Sequence, residues 1–113
     1  MVFGMWRSSA RLEVDVAGLA TEHGLGAYVL DVREPFEFVE AHVPGARLVP
    51  MGELPAHLAE IPRDRRVFVI CASGHRSLTA ARWLQRQGID AVSVAGGTNA
   101  WAASGRHVER GHA

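Results

Sequence analysis

A chain of 113 residues with 48% apolar side chains has room for one hydrophobic core and is not composed like a disordered segment. Its twelve basic and twelve acidic residues cancel, which argues against a general nucleic-acid or membrane-surface binder, and its single cysteine excludes an internal disulfide and a cysteine-paired zinc site. All twelve basic residues are arginine, so anion contacts by basic side chains fall to Arg or His, and a lone thiol fits a reducing compartment, so a cytoplasmic location is expected.

Met1 to Ala10 combines one Arg and two Ser with no long apolar run, so it reads as a flexible lead rather than a signal peptide or a membrane span. A weak strand pattern near Arg11 to Val14 opens a single domain expected over residues 11–110, with 111–113 as a tail. Val16 to His23 reads as a helix, with Asp15 as N-cap and Gly24 closing it. Ala27 to Val32 reads as a strand. In the next helix Pro35 suits the first turn, and Phe36, Val39 and Val43 recur at i, i+3, i+7. Ala46 to Val49 is a further strand. Leu54, Leu58 and Ile61 recur at i, i+4, i+7 in a helix that Pro62 ends. Val67 to Ile70 is apolar at every position, as in a strand covered on both faces. Ser77 to Gln87 is a helix with Leu78, Ala81 and Leu84 inward, Arg82 and Arg86 outward, and Gly88 past its end. Ala91 to Val94 is the last strand, and Asn99 to Ser104 a short helix around Trp101.

Strands and helices alternate with short links, which predicts an α/β fold: a mostly parallel sheet with helices on both faces. Such sheets take ligands beyond the carboxyl ends of their strands. Asp31-Val32-Arg33-Glu34, the loop beginning at Cys71, and Gly96-Gly97 each follow a strand, so these loops are expected to share one edge of the sheet.

The Cys71 loop carries the chemistry. An apolar strand stops at the only cysteine, a short run of small residues follows, and a helix begins. A lone cysteine at a strand end is ordinarily a small buried hydrophobe. Here a helix N-terminus faces the thiol, and Arg76 lies five residues on; both lower a thiol pKa from its free value of about 8.5. Ala72, Ser73 and Gly74 are small enough for backbone N–H groups to turn toward the sulfur, His75 and Arg76 bring donors, and Ser77 adds a hydroxyl. A thiolate in such an amide nest can attack a sulfane sulfur and hold it as a persulfide.

Cys71-Ala72-Ser73-Gly74-His75-Arg76-Ser77 resembles the Cys-x-x-Gly-x-Arg-Ser/Thr active loop of rhodanese-like sulfurtransferases. Leu30-Asp31-Val32-Arg33-Glu34-Pro35 with Phe36-Glu37-Phe38 looks like the family's Asp-x-Arg segment. His42-Val43-Pro44-Gly45-Ala46 looks like its His-Ile-Pro-Gly-Ala turn, and Ala95-Gly96-Gly97 with Trp101 and Gly105 like its closing Gly-Gly…Trp pattern. Together these run from about Asp15 to Val108 in the family's order. The resemblance implies a five-stranded, mostly parallel rhodanese sheet, with Cys71 carrying the transferred sulfur as a persulfide and the amides of Ala72 to Arg76 cradling it. The resulting expectation is a sulfurtransferase with Cys71 catalytic and Ala72, Ser73, Gly74, His75, Arg76 and Ser77 binding substrate. A thiosulfate or thiol persulfide donor is expected, with a thiol or cyanide acceptor and no cofactor or metal.

Asp31 and Arg33 read as a supporting ion-pair network around the loops more than as substrate contacts. Arg76 has two open readings: it binds an anionic donor, or it packs over the loop with its guanidinium on backbone. His75 reads as surface lining, since transfer by a thiolate needs no general base. His42 reads as support for the Pro44-Gly45 turn, Trp83 and Trp101 as core anchors, and Arg63-Asp64-Arg65-Arg66 as a solvated turn. Alternative functions are a persulfide carrier or regulatory module docking on a protein partner and, ranked lower, a cysteine phosphatase or arsenate reductase. Cysteine phosphatases use a longer loop between Cys and Arg, suited to a tetrahedral oxyanion. No nucleic-acid or membrane partner is expected.

Overall fold

The computed structural model describes residues 12–112. The expected lead, 1–10, lies outside them. Five strands form one sheet: β1 (Glu13–Val14), β2 (Tyr28–Asp31), β3 (Arg47–Leu48), β4 (Val67–Ile70) and β5 (Ala91–Val94). Their order is β1-β5-β4-β2-β3, and every pairing is parallel. The all-apolar β4 lies at the centre, paired through Val29↔Phe68 to β2 and through Phe68↔Val92 to β5. Each parallel return requires a crossover, and these supply α1 (Val16–His23), α2 (Pro35–Glu40), α3 (Leu54–His57) and α4 (His75–Arg86), while α5 (Gly97–Ala103) follows the last strand.

Strand alternation divides the core into two layers. Leu30, Val67, Val69 and Ala91 pack with Leu54 and Ile61 around α3 and with Ala80, Ala81 and Leu84 of α4. Val29, Phe68, Ile70, Val92 and Val94 turn the other way, onto Leu19 of α1 and Trp101 of α5. Helices on both faces of a parallel sheet leave its carboxyl edge as the open rim.

Several local expectations shift. Asp15 caps α1, its Oδ1 accepting from the Gly18 amide at 2.8 Å. Gly24, however, keeps right-handed helical geometry, and the left-handed turn falls at Gly26, φ +87°. In α2 the expected phase is wrong: Phe36 is 70% exposed, Phe38 is buried, and Val43 is buried beyond the helix end. A helix of six residues is too short for its apolar spacing to define a face. The continuous helix expected over Leu54 to Ile61 is a single α turn between two 3₁₀ turns, Met51–Glu53 and Leu58–Glu60. Pro55 and Pro62 bracket a stretch too short for cooperative helix. Leu54 and Ile61 are nonetheless buried, with Leu58 packed against them. Both α4 and α5 begin two residues earlier than expected, at His75 and Gly97, and Leu78 is only half-buried.

Candidate active site

β4 delivers Cys71 to the carboxyl edge of the sheet, where the chain must turn away from its neighbours and enter α4. Gly74 makes the turn at φ +111°, a left-handed conformation that side chains disfavour, and α4 starts at the next residue. The loop is held from behind by α5. The Thr98 amide donates to the Cys71 carbonyl at 2.8 Å, and the Asn99 amide to the Ala72 carbonyl at 3.0 Å. This clamp requires glycine at position 97, where a Cβ would lie 2.3 Å from the Cys71 carbonyl oxygen and 2.5 Å from that of Ala72. Because a trans peptide sets its N–H opposite its C=O, the Ala72 carbonyl drawn toward α5 leaves the Ser73 amide on the sulfur side.

Cys71 is buried, 1% exposed. The Gly74 amide donates to Cys71 Sγ at 3.1 Å and the Ser77 amide at 3.3 Å, and the Ser77 hydroxyl lies 3.4 Å away. Burial pushes the thiol pKa up. The Ser77 hydroxyl and the amides of Ser77, Gly74 and Ser73 together outweigh burial, and the pKa is held below its ordinary value. Ser77 is fully buried, and its hydroxyl also lies 3.2 Å from the Gly74 carbonyl and 2.7 Å from the hydroxyl of Ser93 on β5.

Of the amides expected from Ala72 to Arg76, that of Gly74 donates to the sulfur, and the Ser77 amide joins it from one residue beyond; exposure differs along the loop. Ala72 is half-buried; Ser73 and His75 are exposed, with Ser73 Oγ 3.3 Å from His75 Nδ1. The Arg76 guanidinium forms a forked pair with Glu37 of α2, at 2.8 and 2.9 Å. That pair holds Glu37 down at about 2 and pushes Arg76 further above its ordinary range. It also ties the first turn of α4 to α2.

Asp31 and Arg33 lie at the neighbouring strand end. Asp31 is fully buried and Arg33 is 5% exposed. Arg33 donates through its own amide at 3.0 Å, through Nε at 2.9 Å and through Nη2 at 2.9 Å to the Asp31 carboxylate, and its Nη2 also reaches the Ala41 carbonyl at 2.8 Å. His42 is buried, stacked on Phe38 at 3.6 Å, with Nδ1 donating to the Phe38 carbonyl at 2.7 Å. Trp101 is buried, its Nε1 donating to the His107 carbonyl at 2.7 Å, while Trp83 is half-buried. Arg63, Asp64 and Arg65 stand exposed in the expected turn, and from it Arg63 reaches the Gln87 carbonyl at 2.6 Å and Arg66 the Asp90 carboxylate at 3.2 Å.

The side chains of Glu37 and Ser93 and the backbone amide of Thr98 join the site without having been singled out. Of these, only Glu37 carried a signal: an acidic residue in the first turn of a helix that starts at the Asp-x-Arg segment. Among the described residues no cluster of His, Cys, Asp and Glu is arranged to hold a metal, and no helix is long and apolar enough to cross a membrane. An open groove of about 240 Å³ runs along α4, between Met51, Leu54 and Pro55 on one side and Thr79, Trp83 and Arg86 on the other.

A parallel sheet in this order, with a cysteine turned into an amide cradle at its carboxyl edge, defines a known class. The chain belongs to the rhodanese-like domain family, whose pattern matches residues 15–104. It is 40% identical over 78 residues to a sulfurtransferase of Allochromatium vinosum, a match covering 68% of this chain and 73% of that protein. It is 36% identical over 77 residues to the thiosulfate sulfurtransferase GlpE of Stutzerimonas stutzeri, covering 67% and 71%. Among solved structures, a rhodanese-related protein of Thermoplasma volcanium superposes with a TM-score of 0.81 at 35% identity, covering 87% of this chain and 97% of that one.

Proposed function

We propose that this protein is a sulfurtransferase that carries sulfane sulfur as a persulfide on Cys71. The supporting observation is the convergence of the Gly74 and Ser77 amides on Sγ, at 3.1 and 3.3 Å. These dipoles favour an anion on sulfur without a side-chain base, which is what a nucleophilic thiolate needs. With thiosulfate, the Cys71 thiolate attacks the outer sulfur. The S–S bond of thiosulfate breaks, its electron pair leaves with sulfite, and Cys71 is left as a persulfide anion. A thiolate or cyanide then attacks the terminal sulfur, and the Cys71 thiolate departs with its electrons restored.

An anionic donor is favoured by the amide dipoles that converge on the sulfur and by the thiosulfate specificity named for the Stutzerimonas relative. Mixing the protein with excess thiosulfate and no acceptor tests the reading. A burst of one sulfite per chain is expected, followed by a stop until cyanide or a thiol is added. Continuous sulfite release without an acceptor, or no burst with any sulfane donor, contradicts it.

The groove along α4 favours a second reading for the acceptor, a protein rather than a small thiol. His75, Thr79 and Arg86 fall on one stripe of the helix, so the groove leads to the loop of Cys71. Exposed Arg82 and Arg86, on a helix without acidic residues, suit an acidic acceptor surface. Trp83→Ala should then slow transfer to a protein acceptor and leave transfer to cyanide unchanged.

A further inference from the structure

Ser93 is a buried polar side chain that the packing does not explain. It stands within β5, among Ala91, Val92 and Val94, and is fully buried. A hydroxyl in such a place is costly unless it is hydrogen-bonded. Its side-chain hydrogen bond among the described residues is to Ser77 Oγ, at 2.7 Å.

Counting protons gives that contact a direction. Ser77 Oγ has one hydrogen and two lone pairs. Two acceptors compete for the hydrogen: the Gly74 carbonyl at 3.2 Å and, once ionised, Cys71 Sγ at 3.4 Å. If Ser77 donated to Ser93, neither would receive it. If Ser93 donates to Ser77, the Ser77 hydrogen is free for the other two. With Cys71 a thiol, that hydrogen goes to the Gly74 carbonyl. With Cys71 a thiolate, it swings to the sulfur, polarised by the donor behind it.

We propose that Ser93 is a positioning residue whose hydroxyl donates to Ser77 Oγ and thereby directs the Ser77 hydrogen onto the Cys71 thiolate. This rests on the reading that the thiolate is the reactive form. The charged and titratable groups around the sulfur are His75 in the loop, the Arg76–Glu37 pair reaching it from α4 and α2, and the Asp31–Arg33 pair at the end of β2. A change at Ser93 alters none of these charges.

Cys71 is the chain's only cysteine, so alkylation by a neutral reagent reports on it alone. In Ser93→Ala the pH midpoint of alkylation should rise by about half a unit or more, roughly a threefold loss of thiolate well below the midpoint. Ser93→Thr keeps a hydroxyl and should restore most of the shift. Ser77→Ala with Ser93→Ala should have the same midpoint as Ser77→Ala alone, because Ser93 acts only through Ser77. A midpoint unmoved by Ser93→Ala while Ser77→Ala raises it overturns the proposal. So does a further rise in the double variant. If Ser93→Ala does not fold, the midpoint of Ser93→Thr decides, and a large rise there overturns it. The titration uses no sulfur donor, so a protein that forms no persulfide but shows these shifts refutes the proposed function and leaves the role of Ser93 standing.

Discussion

Two neighbouring loops at the carboxyl edge of the sheet favour negative charge in opposite ways. β2 and β4 are paired through Asp31↔Ile70, so Asp31 and Cys71 end adjacent strands almost level with each other. Asp31 meets a full counter-charge two residues on, with Arg33 wrapped back through Nε and Nη2 at 2.9 Å. Cys71 is met by the dipoles of Gly74, Ser77 and their neighbours. The first arrangement is closed, since each partner satisfies the other and little is left for a ligand. The second stabilises negative charge on sulfur without binding a counter-ion to it. In the proposed reaction such a sulfur can form a bond and later be released. The carboxylate is neutralised by charge, and the sulfur proposed to react is met by amides.

Breaking the closed pair should have the largest effect on stability. Arg33→Ala leaves a fully buried carboxylate without its counter-ion, a change that costs about 3–5 kcal/mol in comparable buried pairs. The denaturant midpoint should fall accordingly, and Asp31→Asn added to Arg33→Ala should recover part of the loss. A midpoint within error of the native protein would mean that Arg33 is not what offsets Asp31.

Breaking the open cradle should mainly affect chemistry. Gly97→Ala drives a Cβ against the Cys71 and Ala72 carbonyls, 2.3 and 2.5 Å from their oxygens, so the loop must shift. The thiol midpoint should move up toward the free value of about 8.5, and sulfur transfer should fall at least about tenfold, well beyond the change in melting temperature. Full transfer activity in a folded Gly97→Ala protein would show that the clamp from α5 does not shape the cradle.

The smallest effect is expected at the hinge between the two loops, the Glu37–Arg76 pair. Glu37 is a stronger acid in the folded chain, about 2 against an ordinary 4.5. Its contribution is therefore present above about pH 4.5 and is lost as pH falls toward 2, where the folded state must also take the proton. Arg76 is 40% exposed, and solvent screening keeps the pair to about 1 kcal/mol. Arg76→Ala should flatten this acid-limb loss and lower kcat/KM for charged and uncharged donors alike. A loss confined to thiosulfate would assign Arg76 to the donor instead.

What was legible in the chain follows from the distance over which each feature is encoded. The Cys71 loop is local: an all-apolar strand, a cysteine, a glycine and a helix start within one short run. Strands β4 and β5 and the cap of α1 are local in the same sense, and all three stand where their residues predict them. The Glu37–Arg76 pair joins residues thirty-nine apart and the Ser77–Ser93 contact residues sixteen apart, and no spacing rule reaches across them. Short elements fail for a different reason. α2 and the stretch over Leu54 to Ile61 have too few turns for periodicity to outweigh the prolines and the tertiary packing, so Phe36 points outward where its spacing predicts it inward. The Gly-Gly pair is weak as a phosphate signal, and its role is visible only once α5 is seen pressed against the back of the Cys71 loop.

The mass of the protein after incubation with thiosulfate and removal of excess donor tests the persulfide on Cys71 most directly. The native chain should gain the mass of one sulfur, lose it on treatment with cyanide or a reducing thiol, and show the label on the peptide containing Cys71. Cys71→Ser should gain nothing under the same conditions. Labelling of Cys71→Ser to the same extent, or a native chain that turns over donor while never holding sulfur, would contradict the amide cradle as the place where the transferred sulfur resides.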